Sequence, residues 1–229
     1  MLKIIRYSAL TLLLAIGGVW AHAWFTRAPG QGVGDAFARR LASVFGQGMP
    51  VPSAGGGGVQ LPPGLTLGGP FSLIRQDGVA VTERDYAGGA LLIYFGFTFC
   101  PDVCPTELGR IADVIDALGP AGERVTPVLI TIDPQRDTPE ALADYVSRFH
   151  PRMQGLTGSV EQIRDVASRY RVYFARAQNQ TMNQYLMDHS SFIYLVGPDG
   201  RVRLLFRPET SVEDMTRAIS GQLRALALS

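Results

Sequence analysis

The chain has 229 residues, 46% of them hydrophobic, enough for one sizeable core and, after a Gly- and Pro-rich start, about one domain. Its 21 basic side chains balance 20 acidic ones, leaving a net charge of +1. No basic face or charge block stands out, which argues against nucleic acid as a partner.

The segment Met1-Leu2-Lys3-Ile4-Ile5-Arg6 carries positive charge, and residues 7–25 contain no Asp, Glu, Lys or Arg. That run approaches the ~20 residues a helix needs to span a bilayer. Trp20, Trp24 and Phe25 close it, as interfacial aromatics do. Residues 1–28 are therefore expected to form an N-terminal membrane anchor with Lys3 and Arg6 on the cytoplasmic side. Ala21-His22-Ala23 also resembles a signal-peptidase site, so a cleaved signal sequence is the alternative. Either way the globular part is exported. The expected location is the inner membrane, single-pass, with that part on the periplasmic side. Residues 29–64, with Gly55-Gly56-Gly57-Gly58 and Leu61-Pro62-Pro63-Gly64, have the composition of a linker.

From Leu65 to Ser229 the pattern alternates between strands and helices. Phe71-Ser72-Leu73-Ile74 and Val79-Ala80-Val81-Thr82, joined at Asp77-Gly78, predict an opening hairpin. Residues 90–97 are a near-continuous apolar run, as in a strand covered on both faces. A helix follows, started by Pro105 and burying Leu108, Ile111, Ala112 and Ile115. Residues 128–132 predict a second buried strand. Thr138-Pro139-Glu140 opens another helix with a stripe of Ala141, Leu142, Tyr145, Val146 and Phe149. Ser159-Val160-Glu161-Gln162 is a capping box ahead of Ile163, Val166, Ala167 and Tyr170. Residues 172–175 predict a short strand, and residues 191–196 and 202–206 flank the turn Gly197-Pro198-Asp199-Gly200. Ser211 caps a last helix with Met215, Ile219, Leu223 and Leu226 facing inward. The order predicts an α/β domain with a central mixed sheet and helices on both faces, in a thioredoxin-like layout.

The only two cysteines, Cys100 and Cys104, sit where the long buried strand meets its helix. Cys104 is expected immediately before the first helical turn, where free N–H groups and the helix dipole favour a thiolate. A low thiol pKa serves disulfide exchange and metal ligation alike. The three residues between the cysteines, Pro101, Asp102 and Val103, let the sulfurs meet as a disulfide or bracket an ion. A metal needs a third ligand. His22 falls in the anchor and reads as an interfacial residue; His150, before Pro151, reads as a helix C-cap. His189, in Asp188-His189-Ser190, lies in the loop that faces the cysteines in a thioredoxin-like layout. Oxidoreductases of that class carry a proline there, and this chain has none between Pro151 and Pro198. Two thiolates and an imidazole suit a soft ion, copper first, with zinc the sharpest rival. Asp188 is read either as orienting His189 or as a surface carboxylate, and Met182 and Met187 either as weak thioether donors or as packing.

Phe95-Gly96-Phe97-Thr98-Phe99-Cys100-Pro101-Asp102-Val103-Cys104-Pro105-Thr106-Glu107-Leu108 resembles the signature of the Sco/SenC family of copper chaperones. Ile132-Asp133-Pro134-Gln135-Arg136-Asp137-Thr138-Pro139-Glu140 is similar to that family's second block. Asp188-His189-Ser190 with Tyr194-Leu195-Val196-Gly197-Pro198-Asp199-Gly200 is similar to its third. The likeness extends over roughly residues 71–215. It implies a membrane-tethered, thioredoxin-like protein that binds copper, as Cu(I) or Cu(II), through Cys100, Cys104 and His189. It further implies a role in assembling the Cu(A) site of cytochrome c oxidase subunit II, by copper delivery, by reduction of the target's cysteines, or both. Another copper chaperone as donor and a thiol reductant are the further partners it implies. The resulting expectation is a copper-binding assembly factor, not a turnover enzyme. Oxidation of the cysteine pair to a disulfide bond would eject Cu(I). The alternative is a membrane-anchored thiol–disulfide reductase in which Cys100 and Cys104 form the redox pair without an obligatory metal. A peroxidase-like domain would need an isolated reactive cysteine with an activating arginine, and the paired loop gives no sign of one.

Overall fold

The computed structural model describes residues 58–177 and 185–227. The expected anchor at 1–28 with His22, the expected linker up to residue 57, Met182 and the side chain of Leu226 lie outside them. Among the described residues no helix is long and apolar enough to cross a membrane.

The opening hairpin pairs β1 (Ser72–Arg75) with β2 (Ala80–Thr82). Its turn needs Gly78, whose φ of +80° suits a residue without Cβ. The apolar run becomes β3 (Ala90–Gly96), in which all seven residues are buried. Successive strand residues point to opposite faces, so complete burial means that both faces of the sheet are covered here. After β3 come α1 (Val103–Ala117), β4 (Val125–Thr131), α2 (Pro139–Val146), β5 (Gln154–Thr157) and α3 (Val160–Arg169). A two-stranded ribbon of β6 (Phe174–Arg176) and β7 (Met187–His189) precedes the hairpin β8 (Ile193–Val196) and β9 (Val202–Phe206). Helix α4 (Val212–Ala227) ends the described chain.

The main sheet has seven strands in the order β2-β1-β5-β4-β3-β8-β9, with β3, β4 and β5 parallel and the others antiparallel. It is the predicted mixed α/β sheet. Helices α1 and α4 pack on each other, α2 packs on β5, and α3 on β1. Thr138 caps α2 and Ser159 closes the capping box of α3, as their sequences predict. Met215, Ile219 and Leu223 of α4 are buried.

Some boundaries differ from the sequence-based expectation. Helix α1 begins at Val103, two residues ahead of Pro105, so Cys104 lies inside its first turn. Helix α2 ends at Val146, so Phe149 and His150 fall beyond it. His150 is not a helix cap: its Nδ1 accepts the N–H of Arg152 at 3.1 Å. His189 sits on β7 rather than in a loop, because the ribbon's ladder takes it up opposite Phe174. Within the stretch of linker composition, Val59 bridges Leu205 through two backbone hydrogen bonds of 2.7 and 3.0 Å. Strand β9 is the sheet's edge, and its free backbone groups accept that short partner.

Candidate metal and dithiol site

The site stands at the carboxyl ends of parallel strands β3 and β4, where open α/β sheets commonly place ligands. Gly96 ends β3 because space there is short. A Cβ on it would lie 2.8 Å from the Tyr94 ring and 3.0 Å from Cys104 Sγ. The cysteine loop then leaves the strand and is fixed by Asp137. The buried carboxylate of Asp137 accepts the Thr98 N–H at 3.1 Å, the Thr98 hydroxyl at 2.6 Å and the Thr131 hydroxyl at 2.6 Å. Burial pushes its pKa up. Asp133 is buried as well, holding Arg136 and accepting the Tyr185 hydroxyl at 2.6 Å. Both acids thus serve the structure of the loops around the site.

Three donor atoms converge. Cys104 Sγ lies 3.5 Å from His189 Nε2, across 85 positions of sequence. Cys100 Sγ accepts the Cys104 N–H at 3.4 Å. All three donor atoms lie within 4.8 Å of one another, and they are the one group among the described residues that could hold a metal ion. Both thiols are free; Cys104 is fully buried and Cys100 half-buried. His189 Nδ1 faces the Ser190 carbonyl oxygen at 3.0 Å. That oxygen can only accept, so Nδ1 carries the proton and Nε2 presents its lone pair to the sulfurs. Phe97 and Tyr94 meet the imidazole edge-on, with ring centroids 5.9 and 6.0 Å away.

The two thiols are unequal, and not as the sequence-based expectation has it. The hydrogen bond with Cys104 drives the Cys100 pKa down to about 4; burial opposes the shift, and His189 and the backbone of Cys104 reinforce it. Cys104 moves up, because it is the partner that keeps its proton beside the Cys100 thiolate and because it is buried. The first turn of α1 adds a smaller contribution of the same sign to Cys100, which lies outside the helix. A sulfur at the mouth of a helix collects the free N–H groups, whereas one on the helix body points away from them.

Asp188 is exposed on β7, and the Ser190 carbonyl is the group that orients His189. Met187 packs against the core and lines a cavity of about 430 Å³ with Ile132, Phe174 and Arg176. Sequence reasoning missed Tyr94, whose hydroxyl reaches Cys104 Sγ at 3.9 Å, and Arg136, whose guanidinium lies over Phe99 and Tyr185. Tyr94 precedes Cys104 by ten positions on an apolar strand, where a tyrosine reads as core.

The SCO1/SenC family profile matches residues 60–224. The chain belongs to the SCO1/SenC family. It is 46% identical over 158 residues to Protein sco1 of Schizosaccharomyces pombe, a match covering 68% of this chain and 60% of that protein. The chain spans 47% and 53% of the SCO1 homologues of Arabidopsis thaliana and Homo sapiens. Among solved structures, Arabidopsis thaliana ScoI with copper bound aligns at a TM-score of 0.65 and 42% identity, over 69% of this chain and 99% of that one. BsSco, described as carrying a disulfide switch and as a member of the Sco family of cytochrome c oxidase assembly proteins, aligns at 0.57 and 25% identity, over 72% and 98%. The fold of this SCO1/SenC domain is thus the thioredoxin-like arrangement of its Sco relatives.

Proposed function

We propose that this SCO1/SenC protein takes up one copper ion as cargo through Cys100 Sγ, Cys104 Sγ and His189 Nε2, and passes it to the Cu(A) site of cytochrome c oxidase subunit II. The observation that carries the proposal is the convergence of two sulfurs and one imidazole nitrogen within 4.8 Å. The donor set fits the ion, since thiolates and imidazole favour Cu(I) and also accept Cu(II). Three protein ligands leave room for an incoming donor, so transfer proceeds by ligand exchange without a bare ion. Arabidopsis ScoI, named with copper bound, and BsSco, named for cytochrome c oxidase assembly, support both halves of the reading. Anchorage by residues 1–28 and a periplasmic position for the domain complete the proposal.

The test is copper stoichiometry and thiol titration on the full chain in detergent, wild type against His189→Ala. The wild type is expected to hold one copper per chain with both thiols protected, and His189→Ala to bind at least about tenfold more weakly. Equal affinity in the two proteins overturns the three-ligand reading.

The inequality of the thiols favours a second activity on the same residues. The Cys100 thiolate attacks a disulfide in the target, one target sulfur leaves as a thiol, and Cys104 then displaces the other. The target ends as a dithiol and this chain as the Cys100–Cys104 disulfide. Survival of target reduction in His189→Ala, with copper lost, separates this activity from copper carriage.

A further inference from the structure

His189 belongs to a ribbon that shares no ladder with the main sheet and reaches β8 through residues 190–192, so the register of its ring against the sulfurs depends on what further ties that ribbon to the cysteine loop. The residue that makes the tie comes from neither segment. Arg136 follows β4, and its guanidinium carbon lies 3.7 Å from the centre of the Tyr185 ring and 4.5 Å from that of Phe99. Phe99 immediately precedes Cys100, and Tyr185 stands four residues ahead of His189. A third ring, Phe97, lies 5.9 Å from the same guanidinium and meets the His189 imidazole edge-on.

The cluster is closed by polar contacts that fix its geometry. Asp133 pairs with Arg136 Nε and accepts the Tyr185 hydroxyl, so one buried carboxylate sets both the cation and the ring it covers. Arg176 of β6 lies over the Tyr185 ring at 4.1 Å and donates to Gln135, tying the ribbon to the segment after β4 that carries Arg136. Arg136 Nη2 is buried without a hydrogen-bond partner among the described residues, as suits a guanidinium held by aromatic faces.

We infer that Arg136 is the positioning residue of the donor set: stacked on Phe99 and Tyr185, it holds the His189 ribbon in register with the cysteine loop. The inference deepens the copper-site proposal and rests on it for its metal arm. Its physical content is preorganisation. Two thiols adjacent in sequence need little help to meet, whereas an imidazole carried on a distant ribbon loses affinity with every conformer that takes it out of reach.

The experiment uses the full chain in detergent as wild type, Arg136→Met, Arg136→Lys and Phe99→Ala. Two quantities are read. One is amide exchange over β7 in the metal-free protein; the other is the ligand-nitrogen coupling of bound Cu(II) by paramagnetic resonance, with affinity. Arg136→Met is expected to speed exchange at His189, weaken copper binding at least about tenfold and reduce the nitrogen coupling, while both thiols still titrate. Arg136→Lys recovers part of each, and Phe99→Ala gives a smaller loss of the same kind. Phe99 is 57% exposed, so that variant folds even if Arg136→Met does not, and it then decides on the same readouts. Wild-type exchange and coupling in Phe99→Ala, or in folded Arg136→Met, overturn the inference. A wild type without nitrogen coupling overturns the copper site instead, and the exchange arm still decides Arg136.

Discussion

The backbone N–H of Cys104 donates to the sulfur of Cys100 at 3.4 Å, adding to the Cys104 thiol, which is the larger support for a thiolate on the residue just outside the helix. The site thereby favours a negative sulfur on Cys100 and a protonated one on Cys104, the two thiols titrating as a coupled pair.

Alkylation exposes that inequality. At pH 6 iodoacetamide is expected to label Cys100 and leave Cys104 untouched, as read by peptide mass spectrometry. Initial labelling of Cys104, or no reaction at that pH, refutes the assignment. Stability carries the same sign. The Cys100 pKa falls from its ordinary 9.0 to about 4 on folding, so its contribution is present above pH 9 and is lost as pH falls through 4. Cys104, raised on folding, works oppositely, and its contribution fades as pH rises beyond 9. Cys100→Ser should therefore lose less stability than wild type between pH 9 and pH 4 in urea titrations.

Gly96→Ala tests the close approach of Cys104 to β3. The new Cβ would press on Cys104 Sγ and the Tyr94 ring at 3.0 and 2.8 Å, so one of them must move. Overpacking of this kind costs about 1–3 kcal/mol. A lowered urea midpoint and faster reaction of Cys104 with an aromatic disulfide are expected; unchanged values for both would show that the pocket has slack.

Asp137→Ala removes the acceptor that fixes the start of the cysteine loop. It strands the Thr98 N–H and the Thr98 and Thr131 hydroxyls, and a buried group left without its partner costs about 1–3 kcal/mol. Stability is expected to fall by at least that amount, with faster amide exchange at Thr98. Wild-type exchange there would deny Asp137 its anchoring role.

Tyr94→Phe deletes the hydroxyl that reaches Cys104 Sγ at 3.9 Å and leaves the ring in place. A net loss of about 0.5–1.5 kcal/mol is expected, as for an ordinary hydrogen bond. The sulfur-to-Cu(II) absorption band should also shift, because an oriented donor withdraws charge from the sulfur. An identical spectrum would show the hydroxyl to be a bystander.

Much of this was readable from the residues. The apolar run ending in Gly96, the caps Thr138 and Ser159, and the turn at Gly197-Pro198-Asp199-Gly200 are local signals, and each element appears where its signal stands. Cys100, Cys104 and His189 were nameable because their chemistry is rare in this chain. Strand β5 was not, since Gln154-Gly155-Leu156-Thr157 is short and carries a glycine; its place between β1 and β4 comes from tertiary pairing. Arg136 was hidden for a related reason. An arginine between two aspartates reads as a solvated charge, and only the folded chain brings Phe99 and Tyr185, 86 positions apart, onto its two contacts.

The ribbon of β6 and β7 shares no ladder with the seven-stranded sheet. A protein engineer could thus treat the third donor as an interchangeable cartridge. Swapping His189 for Cys or Met would retune ion preference toward a softer, all-sulfur cradle while the ladders of the seven-stranded sheet kept their pairing.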